Sequence, residues 1–397
     1  MPNLLNYIED TQYDSFYDQP LNKLDILALT ELSYLPFDRL VPTSFTETGI
    51  RLDHLAEQFE ATYQNDFPPF SMVTKNRLAL FALLAKSIRF KSIKAFGFVD
   101  DYQLDQEQQF SAISYRLDRR TILTAFRGTD DTIIGWKEDF HMTYMDEIPA
   151  QRSANAYLEK LMASQNGNFY IAGHSKGGNL ALYAASQQAL ELQERILAIY
   201  SFDAPGLHKK LLEAPGYKNI HDRIHPIIPQ NSIVGMMLET PKNAQIVQSN
   251  TVGLLQHISF SWDIEGNDFK SAPTLTNDSL QTDQTLKTWT ASLTDEELKV
   301  FFDLFFGIFI QAGIERFSDI TVNPLQKLQE MDRLRKEFTP QEAEMMDKLI
   351  RLLFDTRYQI WKEHVNTSIP SPDISLPDWR KLFQLDHSDN SKTSSGD

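Results

Sequence analysis

Phe169-Tyr170-Ile171-Ala172-Gly173-His174-Ser175-Lys176-Gly177-Gly178 is the stretch on which the fold turns. An apolar run with strand character leads directly into Gly-x-Ser-x-Gly, and apolar residues then recur at helical spacing over residues 178–190. A strand that turns sharply into a helix with serine at the corner is a nucleophile elbow. Glycines two before and two after Ser175 suit a turn so tight that neighbouring Cβ atoms would collide. The turn also sets the Ser175 hydroxyl near a helix N-terminus, where free N–H groups and partial positive charge favour a developing oxyanion. The bare pentapeptide also occurs as an incidental glycine-rich turn, and it is the two flanks that argue against that here.

Outward from the elbow, short alternating runs at 95–99, 110–117 and 121–126 read as strands, with Asp118-Arg119-Arg120 as a turn. Helices are expected at 136–144, 154–164 and 178–190, and strands at 169–172 and 196–202. Further strand candidates are 223–228, 244–248 and 257–264. Strands alternating with helices of this length imply crossover units. The expectation is an α/β-hydrolase fold, a mostly parallel sheet with helices on both faces and helical additions at both ends. The chain then divides into an N-terminal helical cap region (1–92), the core (93–290), a C-terminal helical region (291–386) and a disordered tail (387–397).

Composition narrows the functional classes. Hydrophobic residues are 42% and charged residues 23% of 397, so a substantial core is expected. A formal charge of -16 without a basic stripe argues against a nucleic-acid partner. The absence of cysteine removes disulfides, thiolate metal sites and a thiol nucleophile, leaving hydroxyls and carboxylates. The first ten residues lack a basic segment followed by an apolar one, so no signal peptide is expected and the cytoplasm is the default location. The apolar window 301–314 is broken by Asp303 and Gln311 and is too short to span a bilayer. Within it, residues 300–310 are expected as a buried packing helix; an acyl-chain pocket, a lid and a transient membrane-surface contact stay open. Neither a metal cluster nor a phosphate-cradling loop stands out, so no cofactor and no metal are expected.

Strand 121–126 leads into Arg127-Gly128-Thr129-Asp130-Asp131 and a helix carrying Trp136 and Asp139. Acyl transfer needs two N–H donors for the oxyanion, one from the residue after the nucleophile and one from a neighbouring loop. The backbone amides of Lys176 and Thr129 fill these places, with Arg127 and Asp139 bracing the loop; the alternative is an ordinary hairpin exit.

Ala125-Phe126-Arg127-Gly128-Thr129 with a following Trp-x-x-Asp, and Ile171 to Gly178, resemble the fungal-type (class 3) lipases. That resemblance implies an oxyanion donor at Thr129 and a nucleophile at Ser175. Ser201-Phe202-Asp203-Ala204-Pro205-Gly206, Ser232-Ile233-Val234-Gly235-Met236 and Gln256-His257 with Trp262 are similar to the bacterial Mbeg1-like (DUF2974) family of lipase-like hydrolases. The resemblance runs from about residue 25 to 269. Two features depart from the fungal pattern. Lys176 stands where leucine follows the nucleophile, and Gln230-Asn231-Ser232-Ile233-Val234, where those lipases place the acid, has no carboxylate.

A serine nucleophile needs a base, and the chain order Ser, acid, His puts it well after Ser175. His208, His221, His225, His257, His364 and His387 are the candidates. His387 falls in the tail, His364 in a late helix, His208 too near Asp203, and His221 and His225 flank a strand before Pro226. His257, after a Gly253-Leu254-Leu255-Gln256 loop and before a strand carrying Trp262, is the selected base. Asp203 is the selected acid, because it ends the strand that follows the elbow and emerges on the same sheet edge. Its Asp-Ala-Pro context is similar to the acid of pancreatic-type lipases; Asp263 and Asp268 come next, and Asp222 precedes its strand.

The reading is a serine hydrolase that cleaves a carboxylic ester, a lipid or other small acyl compound, through an acyl-enzyme. An acyltransferase with the same groups and a non-catalytic binding protein on the same fold are the rivals. The natural substrate, its chain length and the oligomeric state are not written in the sequence.

Overall fold

The computed structural model describes residues 1–63, 73–103, 105, 107–130, 132–239, 243–251, 253–316, 319 and 324–364. Four helices, α1 (Leu4–Thr11), α2 (Lys23–Leu32), α3 (Leu52–Tyr63) and α4 (Thr74–Lys86), come first, with the short strand β1 (Ile50–Arg51) before α3. The sheet continues with β2 (Lys94–Gln103), β3 (Gln108–Arg116), β4 (Thr121–Phe126), β5 (Asn168–His174), β6 (Ile196–Phe202), β7 (Ile224–Pro229) and β8 (Gln245–Val247). Its spatial order is the order of the chain, β1 through β8. Pairing is antiparallel up to β4 and parallel from β4 onward. With helices on both faces, this is the expected α/β-hydrolase fold.

That order has a consequence for the layers. The crossovers run through α5 (Ile133–His141) and α6 (Pro149–Ser164), then α7 (Lys176–Gln187) and α8 (Leu190–Gln193), then α9 (Lys209–Leu212) and α10 (Pro215–Ile220). Each parallel step moves the same way across the sheet, so right-handed crossovers lay their helices on one face. There Leu158, Leu180, Ala184 and Ile220 pack on Ile122, Phe169, Ile171 and Ile199. The other face would be bare, and the N-terminal helices cover it. Leu24, Leu27, Leu32 and Leu84 bury against Leu123, Ala125, Ala172 and Phe202. The residues read as a cap region are thus the second layer of the sandwich. Sandwiched on all sides, α2 buries every residue from Leu24 to Leu32, including Asp25 and Glu31. Its two acids are neutralised by buried arginines: Asp25 by Arg89 at 2.5 Å and Glu31 by Arg77 at 2.8 Å.

The C-terminal helices α11 (Asn277–Ala291), α12 (Asp295–Gln311), α13 (Pro324–Lys336) and α14 (Pro340–His364) make a separate apolar cluster. Thr294 and Glu297 form the capping box that starts α12. Phe301, Phe302 and Phe306 of α12 are buried, and Phe302 stacks on Phe140 of α5 at 4.7 Å. The 300–310 stretch is therefore a packing helix along that face, while Phe305 and Ile310 on its other side stay partly exposed. No helix among the described residues is long and apolar enough to cross a membrane. The expected tail at 387–397 lies outside the described residues.

Two sequence expectations are corrected. Residues 257–264 do not form a strand: 3-10 turns occupy Gly253–His257 and Ser259–Ser261, and only β9 (Ile264–Glu265) pairs, with β10 (Asp268–Phe269). The cause is local bonding that competes with a ladder: Ser261 Oγ donates to the Ile258 carbonyl at 2.7 Å, and Trp262 Nε1 donates to that of Gln256 at 2.7 Å. The strand expected at 223–228 is β7, but His225 does not flank it: it lies within it and stacks on Tyr200 of β6 at 5.0 Å.

Candidate active site

Ser175 lies between the last residue of β5 and the first of α7 at φ 58° and ψ -136°, a strained conformation for a residue with a side chain. The surrounding glycines are sterically required. A Cβ on Gly173 would come within 2.0 Å of the Gly177 carbonyl, and one on Gly177 within 2.1 Å of the Phe126 oxygen. The Ser175 N–H donates to the Phe202 carbonyl at 2.9 Å, which ties the elbow to the end of β6. The next residue, Asp203, is also at positive φ, 41°, and its N–H donates to the Ile227 carbonyl at 2.8 Å.

The carboxylate of Asp203 is 1% exposed and meets the ring of His257, with Oδ2 2.7 Å from Nδ1. A carboxylate only accepts, so Nδ1 carries the proton and, in the neutral ring, Nε2 is left as a base. The other oxygen, Oδ1, accepts the Ser232 hydroxyl and the Gly235 N–H, the latter at 3.1 Å. Sequence reasoning missed these two holders of Asp203. Ser232 lies in the 230–234 stretch, which has no carboxylate of its own, and Gly235 directly follows it, so this segment supplies donors to the carboxylate of Asp203. Gly235 has no room for a side chain, since its Cβ would lie 2.6 Å from Asp203 Oδ1. Gln256 fixes the loop before His257 by accepting the Asn231 N–H at 2.9 Å and donating to the Thr251 carbonyl at 2.7 Å.

On the other side of Ser175 lies the Arg127–Thr129 loop. A Cβ on Gly128 would lie 2.8 Å from that of Ser175, a measure of how closely the loop abuts the elbow. Arg127 is clamped to Asp100 through both terminal nitrogens at 2.9 and 2.8 Å. Thr129 Oγ1 lies 2.8 and 2.6 Å from the carboxylate oxygens of Asp139 on α5. Burial pushes the Asp139 carboxyl up to about 6, against the pull of Lys176 and the Thr129 hydrogen bond. The Lys176 side chain, 1% exposed, runs inward to Glu138 at 2.8 Å and the Gln109 carbonyl at 3.0 Å. Where a leucine would pack, this chain carries a buried ion pair beneath the loop. Glu138 was not foreseen; its place beside Asp139 on a helix that also carries Trp136 was the available signal. The Lys176 N–H belongs to the first turn of α7, where backbone donors have no intrahelical acceptor.

A cavity of about 280 Å³ opens beside His257, with Thr129, Trp136, His174, Arg316 and Phe260 on its walls. Three arginines on the walls are each paired with an acid: Arg77 with Glu31, Arg127 with Asp100 and, at 3.6 Å, Arg316 with Asp130. The other candidate bases are elsewhere: His208 bonds the Met145 carbonyl, His221 faces Asp222 at the surface, His364 is the last residue of α14, and His387 lies outside the described residues. Asp268 is bonded to Lys23 at 3.0 Å, and Asp263 is buried below the Trp262 turn. Among the described residues, one group of metal-type donors comes together: Glu107, His141 and Asp303. Lys137 already bridges its two carboxylates, at 2.5 and 2.7 Å.

A family model described as Mbeg1-like matches residues 84–307. Among solved structures, the crystal structure of M37 lipase is similar over 54% of this chain and 70% of that one, at 15% identity and a TM-score of 0.31. No curated protein matches.

Proposed function

The chain belongs to the Mbeg1-like family, and from that premise we propose that it is a cytoplasmic serine hydrolase cleaving carboxylic esters through an acyl-enzyme. The observation that carries this reading is the 2.7 Å contact of Asp203 with His257 Nδ1, beside a serine held at positive φ in a Gly-x-Ser-x-Gly elbow.

Ser175 Oγ attacks the ester carbonyl carbon while His257 Nε2 takes the hydroxyl proton. Asp203 keeps the ring oriented and balances the imidazolium. The N–H groups of Thr129 and Lys176 receive the oxyanion. Collapse of the tetrahedral adduct expels the alcohol with the proton from His257, and water then repeats the sequence on the acyl-enzyme to release the acid. The buried ion pair of Lys176 with Glu138 and the Asp139 bond to Thr129 stiffen the loop that presents one donor. The substrate class is an ester of a lipid or other small acyl compound.

The test is turnover of p-nitrophenyl esters of graded chain length by the parent and by Ser175→Ala. Hydrolysis should be lost in the variant with its melting temperature nearly unchanged. Equal turnover by Ser175→Ala overturns the reading.

A further inference from the structure

We propose that Tyr34, from the N-terminal layer, is a positioning residue whose hydroxyl works through His174 to hold the base loop and the oxyanion loop in register. This rests on the reading of Ser175, Asp203 and His257 as the reacting groups.

Tyr34 follows the C-terminus of α2, and its hydroxyl reaches three groups. It lies 3.2 Å from the Gly128 nitrogen, 3.0 Å from His174 Nδ1 and 3.4 Å from the His174 carbonyl. On the far side of the same imidazole, His174 Nε2 lies 2.9 Å from the His257 carbonyl. The directions of these bonds follow from what each group can do. An amide only donates, so the Tyr34 oxygen accepts from Gly128. A carbonyl only accepts, so His174 Nε2 carries the ring proton and Nδ1 is bare. The single Tyr34 proton then goes to Nδ1. A one-way chain results, from the Gly128 N–H through Tyr34 and His174 to the carbonyl of His257.

The chain requires a neutral His174. Burial, with His257 adding to it, pushes that imidazole down to about 4, so the ring is uncharged at neutral pH. Burial likewise raises the Tyr34 phenol well above its usual value, which keeps its proton in place. The rings of His174 and His257 stack at 4.6 Å and 28°, so the same histidine supports the face of the base. A second anchor comes from one turn earlier in the same segment: Glu31 accepts the Ser259 hydroxyl at 2.6 Å and pairs with Arg77, whose guanidinium covers the Tyr34 ring at 3.6 Å. The loop carrying His257 is therefore tied to the N-terminal layer directly at 259, through Glu31, and at 257 by way of His174 and Tyr34. The room is tight as well, because a Cβ on Gly128 would stand 2.4 Å from the Tyr34 oxygen.

Tyr34→Phe keeps the ring and its Arg77 contact while removing the hydroxyl. With p-nitrophenyl butyrate, kcat should fall about ten- to a hundredfold, the cost of leaving a buried donor and acceptor unpaired, and KM should change less than about twofold. Titration with a fluorophosphonate should still count one reactive serine per chain. Unchanged kcat beside an inactive Ser175→Ala overturns the relay alone; a Ser175→Ala that still turns over overturns the esterase reading and the catalytic consequence with it. Histidine ¹⁵N spectra of the whole chain judge the relay without turnover. His174 should appear as the Nε2–H tautomer in the parent, and its bare Nδ1 resonance should move in Tyr34→Phe as the phenol donor is lost, whereas an Nδ1–H tautomer in the parent or an unmoved Nδ1 resonance in the variant contradicts the proposal.

Discussion

The N-terminal and C-terminal helices look alike in sequence, both apolar-periodic and both outside the strand-rich centre, yet they meet the core in different ways. The N-terminal set lies on the sheet and reaches the site with polar side chains: Tyr34 to Gly128 and His174, and Glu31 to Ser259. The C-terminal set leans on α5 through Phe302 and Phe306 and touches the cavity through Arg316. The N-terminal layer bonds the loops that carry His257 and Gly128, while the C-terminal set braces α5 and, through the Ser279 hydroxyl of α11 on the Ser232 carbonyl, the segment that holds Asp203. A topological cause underlies the difference: a sheet whose order follows the chain puts its crossover helices on one face, so other helices must take the second face and lie under the C-terminal strand ends where the site forms.

The largest difference should appear when each set is broken at its most committed residue. Glu31→Gln removes the charge partner of the buried Arg77, so stability should fall by about 3–5 kcal/mol, and kcat of the remaining folded enzyme should fall as well, because the amide has one acceptor oxygen to share between Arg77 and Ser259 where the carboxylate has two. Phe302→Ala should cost a similar 3–5 kcal/mol by leaving a cavity against Phe140, with kcat of the folded fraction unchanged. Urea unfolding and active-site-normalised turnover separate the two; an equal loss of kcat in both would erase the distinction drawn here.

A smaller effect sharpens it by pH. His174, bonded to the N-terminal layer, has its folded value lowered to about 4, so the unfolded chain binds a proton that the native state does not. Its share of stability is present above the ordinary histidine range and is lost as pH falls toward 4, by about 3 kcal/mol in full. Asp139, on the helix braced by the C-terminal set, is raised to about 6, so the native state keeps a proton that the unfolded chain releases. Its contribution has the opposite sign: stability falls as pH rises from about 4 to 6, again by about 3 kcal/mol. The two offset each other in the parent. The stability of Asp139→Asn relative to the parent should therefore grow across that window, read as denaturation midpoints at several pH values, and a flat difference would contradict the assignment.

The sheet and the elbow were legible because their signals are local: strand-to-helix switches, turn residues, and glycines where no Cβ fits. Asp203 and His257 could be picked by chain order and sheet edge, and they lie 2.7 Å apart. What failed was what depends on distant partners. The 257–264 segment has a strand-like composition, but Ser261 and Trp262 bond locally to the Ile258 and Gln256 carbonyls, and its antiparallel pairing before β9 is a single bridge of Trp262 with Ser249. Ser232 and Gly235 carry no chemistry of their own, so nothing in their types announced that they hold a carboxylate. One signal was available: Asp25 and Glu31 stand within an otherwise apolar helix, and acids buried all round must find cations, which are Arg89 and Arg77. They mark α2 as interior rather than peripheral.

The central claim is that Ser175 is an activated nucleophile driven by the Asp203 and His257 pair. The direct measurement is the rate of covalent labelling by a fluorophosphonate, with the modified peptide mapped, in the parent, Ser175→Ala and Asp203→Asn. Labelling should be confined to Ser175, absent in Ser175→Ala, and slowed by orders of magnitude in a folded Asp203→Asn, whose turnover should drop by about 10⁴ as the base is held in the wrong tautomer. Labelling at another serine, or an Asp203→Asn that reacts as fast as the parent, would contradict it.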